Sequence, residues 1–469
     1  MSLWRHRDFR RLWAGETVSV LGSQVTLLAL PLAAVLTLHA SAFEMGVLTA
    51  AGMAPWIFFA LPVGVWVDRQ PRRRWVLVAS DLGQAALLCS IPVAAAFHVL
   101  SFPQLVAVAA AAGLLALFFR VAYASYLPTL IAKDQLVDGN AKLMASSSLS
   151  GIAGPSVAGL LVQAVTAPLA IALDAFSFVA SALAIRSIEA SEPPRALATH
   201  GSLRADLTAG LRYVAGDPLM RAMAGSAGTL NFFAMAMYAV IVLYAVRELG
   251  LSAGEVGAVF AVGAAGGLIG TQIAARAARA LGAGRAIMWA TVGFPPALAV
   301  VPLAGYGEPR WLALGILAVA ELVGGIAVMV FDVNGPALRA ATTPEHLMGR
   351  MSGAMSFLTQ SAKPLGALFA GALATAIGLH STLWVCAAGG LLVIPWTFFS
   401  PLRRREHPGG VDPHAVPEEE AGAVPVPGGL DLGLDVGGRV GATEREVLEP
   451  RDEPRVRAAQ RPAEVAQRG

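Results

Sequence analysis

Twelve apolar runs, each about the 20 residues that a helix needs to cross a bilayer, leave this chain few ways to fold. They fall near residues 12–37, 43–67, 75–97, 103–127, 138–165 and 168–186, and then near 219–246, 254–280, 285–305, 311–332, 351–378 and 380–400. Inside lipid, backbone N–H and C=O groups must be satisfied within the segment, so runs of this length are expected as α-helices. Composition agrees: 56% of residues are hydrophobic, 14% are charged, and the mean hydropathy is +0.63. A soluble domain is not expected to look like that. The expected fold class is an all-α membrane protein with twelve transmembrane helices in two six-helix halves. The expected boundaries are 1–186 for the first half, 187–217 for a linker, 218–402 for the second half and 403–469 for a tail.

Charge placement orients the bundle. With the amino terminus inside, Lys and Arg crowd the inner loops, and only Arg247 and Arg310 lie outside. Both termini are therefore expected in the cytoplasm, at the inner or plasma membrane of a cell. In the linker, Glu192-Pro193-Pro194 breaks any helix. Leu203, Leu207, Leu211 and Tyr213 then face away from Arg204, Asp206 and Arg212, which predicts a short amphipathic helix on the inner membrane face. The tail is rich in Pro, Gly, Glu and Arg and is expected to be disordered. Two cysteines in apolar runs, Cys89 and Cys386, support neither a disulfide nor a metal framework.

The two halves repeat. Phe119-Arg120-Val121 leads to Leu127-Pro128, a loop with Gly139, and Gly154-Pro155. Phe331-Asp332-Val333 leads to Gly335-Pro336, a loop with Gly349, and Lys363-Pro364. Two copies of a six-helix unit are what a transporter with its site at the repeat interface requires. Arg120 and Asp332 hold equivalent positions at inner helix ends, and a pairing between them would close the cytoplasmic side.

Polar residues in the spans mark where chemistry could sit, because charge in a bilayer is costly unless it faces protein or water. Glu16, Ser19, Ser23, Gln24 and Thr26 share one face of helix 1. Glu321 and Lys363 fall near the same mid-membrane depth, which invites an ion pair. That pair is either static, or Glu321 exchanges a proton while Lys363 tunes it. Asp174 in helix 6 is expected to hydrogen-bond locally, with proton coupling as the rival reading. Asn231, Met235 and Tyr238 in helix 7, with Ser23 and Gln24, are candidates for contact with a bulky apolar substrate. Gly263, Gly266, Gly267 and Gly270 fit helix packing, since no strand precedes them as a nucleotide loop would need.

The stretch from Leu61 to Arg74 ends one span at Asp68 and starts the next after Arg69, Arg72, Arg73 and Arg74. Gly64, Asp68, Arg69, Arg72 and Arg73 resemble the signature loop of the major facilitator superfamily, with Pro71 where that family usually has glycine. In helix 5, Gly154, Pro155 and Gly159 resemble the antiporter motif of its drug exporters, with Ser150 and Ala158 in place of two glycines. Arg7-Asp8-Phe9-Arg10, Leu173 to Phe178 and Thr343 to Arg350 are similar to the macrolide-efflux and enterobactin-exporter branch. The resemblance implies a twelve-helix fold and proton-driven export of an amphiphilic small molecule. It also implies that Asp68 and its arginines dock against the start of helix 11 when the protein opens outward. Arg120 and Lys363 are atypical of the branch.

Together these readings predict a working monomer in a lipid bilayer, exchanging protons for a small molecule by alternating access. Glu321 is the first choice for the protonated carboxylate and Glu16 the second. An uncoupled facilitator or importer is the nearest alternative, and a non-transporting membrane sensor a remote one. No phosphate loop or metal-spaced His and Glu is seen, so no cofactor, metal, nucleic acid or enzymatic activity is expected.

Overall fold

The computed structural model describes residues 3–190, 192 and 203–401. The expected tail disorder at 403–469 and the helix break at Pro193-Pro194 lie outside the described residues.

The first half consists of α1 (Arg7–Leu36), α2 (Ala42–Asp68), α3 (Arg73–Ala96), α4 (Phe102–Leu130), α5 (Leu136–Ala164) and α6 (Ala167–Arg186). An amphipathic helix, α7 (Leu203–Gly216), precedes the second half. That half runs α8 (Pro218–Arg247), α9 (Ala253–Leu281), α10 (Ala283–Val300), α11 (Arg310–Thr342), α12 (Glu345–Ile377), α13 (Leu379–Gly390) and α14 (Val393–Phe398). A 3-10 turn, Val301–Gly305, extends α10, and α13 and α14 form one broken span. By length and hydropathy, eleven helical segments among the described residues qualify as spans. The twelfth is α12, whose 33 residues are diluted by Thr359, Gln360, Ser361 and Lys363. It packs on α2, α7 and α8, so much of its surface meets protein and not lipid.

Helix starts repeat between the halves. Ser41 and Glu44 form a capping box on α2, and Ser252 and Glu255 form the same box on α9. Each satisfies orphan N–H groups at a helix entry. His6 caps α1 through Nδ1, and Asp217 caps α8 by accepting from Leu219 and Met220 at 2.8 and 2.9 Å. The α9–α10 turn is a single glycine, Gly282, at φ +83°, a conformation that β-carbon sterics disfavour for other residues.

Within the first half, α1 packs on α5 and α6, α3 on α4 and α6, and α2 on α4. Within the second, α11 packs on α9 and α10, and α8 on α12, α13 and α14. Two helix pairs form the main contacts between the halves, α2 with α12 and α5 with α9. Each is drawn together by a glycine pair. A Cβ on Gly46 would lie 2.6 Å from the Ala367 carbonyl oxygen and 3.0 Å from Gly371 Cα. A Cβ on Gly257 would lie 3.0 Å from Gly159 Cα, and one on Gly159 would strike the Ala253 carbonyl. Such backbone contact is how helices associate where water offers no hydrophobic drive. Both pairs lie far from the arginine-rich loop between α2 and α3. We call that loop's side the basic end and the other the far end.

The halves converge at the far end and part toward the basic end. At the far end, Arg247 Nη2 of α8 donates across the divide to the Ala40 carbonyl at 2.8 Å. Toward the basic end, Arg120 and Asp332 are exposed, and a Cβ on Gly64, Gly349 or Gly353 would meet nothing within 4 Å. Exposed charge on spanning helices faces a water-filled cleft.

α7 docks on α12 and α8, with Val214 buried and Leu207, Leu211 and Tyr213 packed on the core. Gly210 lets α7 touch the Arg350 carbonyl, and Arg350 Nε pairs with Asp206 at 2.8 Å. The apolar stripe fixes which face is buried, but it does not say whether protein or lipid covers it.

Candidate functional site

A cavity of about 310 Å³ lies inside the first half, closed over by Tyr238 of α8. Its wall is mainly apolar, with Leu27, Leu30, Met53, Leu88, Val108 and Phe178 among the lining residues. Ser23, Thr26, Gln84, Asp174 and Tyr238 supply its polar points. Few polar groups in an apolar wall is the usual make-up of a small-molecule site. Tyr238 reaches over α1, its hydroxyl 3.5 Å from the Leu27 carbonyl and its ring 5.7 Å from Phe260. Near Tyr238 stands Glu321, whose carboxylate rests against Gly263 of α9. The α9 glycines do pack helices: Gly266 meets Leu322 and Gly270 meets Ile326 of α11 at backbone distance.

Of the proposed cavity residues, Ser23 and Tyr238 line this space. Gln24 instead packs against Gly154 at the α1–α5 contact. Met235 packs with Ala50, Ala239 and Ala367 between α2, α8 and α12. Asn231 donates to the Ala227 carbonyl of its own helix at 2.8 Å.

Glu321 and Lys363 are not brought together. The opposite charge acting on Lys363 is Asp332, and Arg120 is the like charge nearby. Depth along a span gives height but not direction. α11 packs on α9 and α10, and α12 on α2 and α8, so side chains at equal height point into different seams. Arg120 and Asp332 are also not paired with each other. The Arg120 guanidinium lies 5.6 Å from the Trp56 ring centroid, and its charge reaches Glu16, while Lys363 and Arg339 are the cations acting on Asp332.

Helix 5 motif residues sit where the halves meet. Gly154 admits Gln24 of α1, while Pro155 and Gly159 meet Gly257 and Ala253 of α9. At the basic end, Asp68 and Arg73 approach to 3.7 Å, while Arg69 and Arg72 are exposed. Glu192 caps α3, accepting from Arg73 N at 2.6 Å and Arg74 N at 3.0 Å. Asp8 accepts from Glu189 N and Ala190 N at 3.3 and 3.0 Å, so the start of the linker is tied to the first half.

A polar seam between α1, α3 and α6 was only half visible in the sequence. Gly22 gives room to Asp174 and Ser177, and a Cβ on Gly15 would lie 3.3 Å from Ser181 Cα. Ser177 donates to Asp174 Oδ1 at 2.9 Å, the local hydrogen bond expected for that acid. Asp81 of α3 went unnoticed. It is fully buried, with the equally buried Ser181 hydroxyl of α6 as its polar neighbour. Its signal was available: an acid two turns into an apolar run, between Ser80 and Gln84, both also buried.

Two six-helix halves, a mainly apolar cavity in the first of them and charge buried at mid-depth define a multi-pass membrane transporter. The chain belongs to the major facilitator superfamily, whose family model matches residues 12–362 and also 224–433. It is 28% identical over 391 residues to the multidrug efflux pump Tap of Mycolicibacterium fortuitum, covering 82% of this chain and 93% of that one. It is 25% identical over 378 residues to the enterobactin exporter EntS of Citrobacter koseri, covering 78% and 85%. Among solved structures it resembles a bacterial homologue of the iron transporter ferroportin in its inward-facing state. The TM-score there is 0.68 at 17% identity, over 85% of this chain and all of that one.

Proposed function

We infer that this protein is a proton-coupled exporter of amphiphilic small molecules that works by alternating access. The observation that carries the reading is one mainly apolar cavity lined by Asp174 of the first half and Tyr238 of the second, with Glu321 near that tyrosine. The named activities of the Tap and EntS relatives support export as the direction. The positive-inside bias puts the basic end, and with it both termini, in the cytoplasm of a cell membrane. The cleft then loads from the cytoplasm, and a single chain contains the whole site.

Export requires the opposite opening. The Gly46–Gly371 and Gly159–Gly257 contacts part, and the halves close at the basic end. Gly64, Asp68, Arg69, Arg72 and Arg73 then dock on the start of α12, and Arg120 meets Asp332 across the narrowed cleft. Pro155 and the small residues around it let α5 rock against α9 as this happens. A ligand drives such a change only by binding the two states unequally. Proton and substrate therefore oppose each other: Glu321 takes up a proton in one state and releases it as the cavity refills. Glu16, facing Arg120, is a second proton site. Lys363 acts on Asp332 and not on Glu321.

Accumulation of a panel of macrolides, siderophores and lipophilic cations, in cells without their own exporters, tests this. Wild type lowers accumulation of at least one compound, a protonophore restores it, and Glu321→Gln does not lower it. If the protonophore has no effect while wild type still lowers accumulation, transport is uncoupled and the proposal fails.

A further inference from the structure

We propose that Glu16, Asp81 and Asp174 form a proton-conducting seam inside the first half, which lets a proton leave the cavity without crossing the substrate's path. The three carboxyls project from α1, α3 and α6, and α6 packs on both other helices. At 1.5 Å per residue, Asp174 lies about 18 Å from the basic end of α6, Glu16 about 14 Å from that of α1 and Asp81 about 12 Å from that of α3. Asp174 lines the cavity, and the charge of Arg120 reaches Glu16. Asp81, at nearly the depth of Glu16, is acted on by both other acids, and a Cβ on Gly15, next to Glu16, would lie 3.3 Å from Cα of its neighbour Ser181.

Asp81 is the telling residue. It is 0% exposed, and no cation lies against it; its neighbour is the hydroxyl of Ser181, also 0% exposed. Glu16 Oε2 is buried without a hydrogen-bond partner as well. A desolvated carboxylate that lacks a cation is unfavourable, whereas a carboxylic acid brings its own O–H. The titratable groups facing Asp81 are Glu16 from α1 and Asp174 from α6. α4, also packed on α3, places Tyr123 and Arg120 beside Glu16.

Each step is a simple proton transfer. Glu16 releases a proton to water in the cleft, Asp81 passes its proton to the Glu16 carboxylate, and Asp174 passes its own to Asp81. Each donor becomes a carboxylate and each acceptor an acid, so one proton crosses the seam. Gly15, Ser19 and Gly22 keep α1 narrow enough for the three acids to share one seam. The seam's use in export rests on the proton-coupled reading above, but its existence can be tested without a substrate.

Infrared spectroscopy of the full chain in lipid, moved from H2O to D2O, reads it out. Wild type shows a protonated-carboxyl C=O band that Asp81→Asn removes and Asp81→Glu retains at a shifted position. That band exchanges quickly in wild type. In Glu16→Gln the band remains but its exchange slows by about a hundredfold, the scale of a lost positioned proton carrier. Asp81→Asn leaving every carboxyl band in place overturns the proposal, as does an exchange rate that Glu16→Gln and Asp174→Asn leave unchanged. Asp81→Glu keeps the test valid if the asparagine variant does not fold. A seam that exchanges in a protein insensitive to protonophore would sink the export reading and leave the seam standing. Protonophore-sensitive export with slow, Glu16-independent exchange would do the reverse.

Discussion

At the scale of single residues, the two exceptions to the charge bias explain themselves. Arg247 and Arg310 are the cations of the far side, and both are in use. Arg310 pairs with Glu255, the capping acid of α9, and Arg247 holds the Ala40 carbonyl of the other half. Arg247→Ala removes a charge-assisted hydrogen bond, worth about 1.5–3 kcal/mol, from the state closed at the far end. Labelling of Thr49→Cys by an impermeant maleimide, in a Cys89→Ala, Cys386→Ala background, should then rise by about tenfold, because each 1.4 kcal/mol is a factor of ten in population. Unchanged labelling would show that Arg247 does not hold the far end. Residue-scale reading also had a blind spot. Span-finding treats 75–97 as one apolar run, so Asp81 vanished into the average, although a lone acid there is the costliest residue in the segment.

At the scale of helices, the order and limits of the elements were largely legible because apolar length and caps are local properties. The Ser41–Glu44 and Ser252–Glu255 boxes are written in four residues each. Contacts between helices were not legible in the same way. The Glu321–Lys363 pairing failed because facing direction depends on which helices are neighbours, and Gly46 and Gly371 looked like any small residues until α2 met α12. The helix 5 motif was read from resemblance, and the packing gives it a reason. Gly159→Val should wedge α5 from α9 and reduce export by more than tenfold, as overpacked backbone contacts cost about 1–3 kcal/mol. Gly151→Ala, on the same helix with open space around it, should keep wild-type activity. Equal losses in both would assign the effect to α5 itself. Glu192→Ala should remove the cap of α3 and destabilise the chain by about 1 kcal/mol, read as a lower midpoint of thermal unfolding. No shift would mean that water replaces the carboxylate.

At the scale of the molecule, the two halves are joined at one end and apart at the other, as the proposed rocking mechanism requires. Glycine pairs and Arg247 hold the far end, and the signature loop stands open at the other. A Cβ on Gly64 meets nothing in this state, so Gly64→Leu should fold normally yet block closure at the basic end. Spin-label distances between Val137→Cys and Phe357→Cys should then lose their shorter population while the longer one remains. Persistence of both populations would show that the loop does not dock there.

The central claim is that proton flow drives export, and everted membrane vesicles test it most directly. Their basic end faces the bath, so an acid-inside gradient should drive the compound identified in cells into the lumen. The account predicts uptake that follows the gradient, collapses when the gradient is dissipated, and is absent in Glu321→Gln. Uptake that ignores the gradient and survives Glu321→Gln would contradict it.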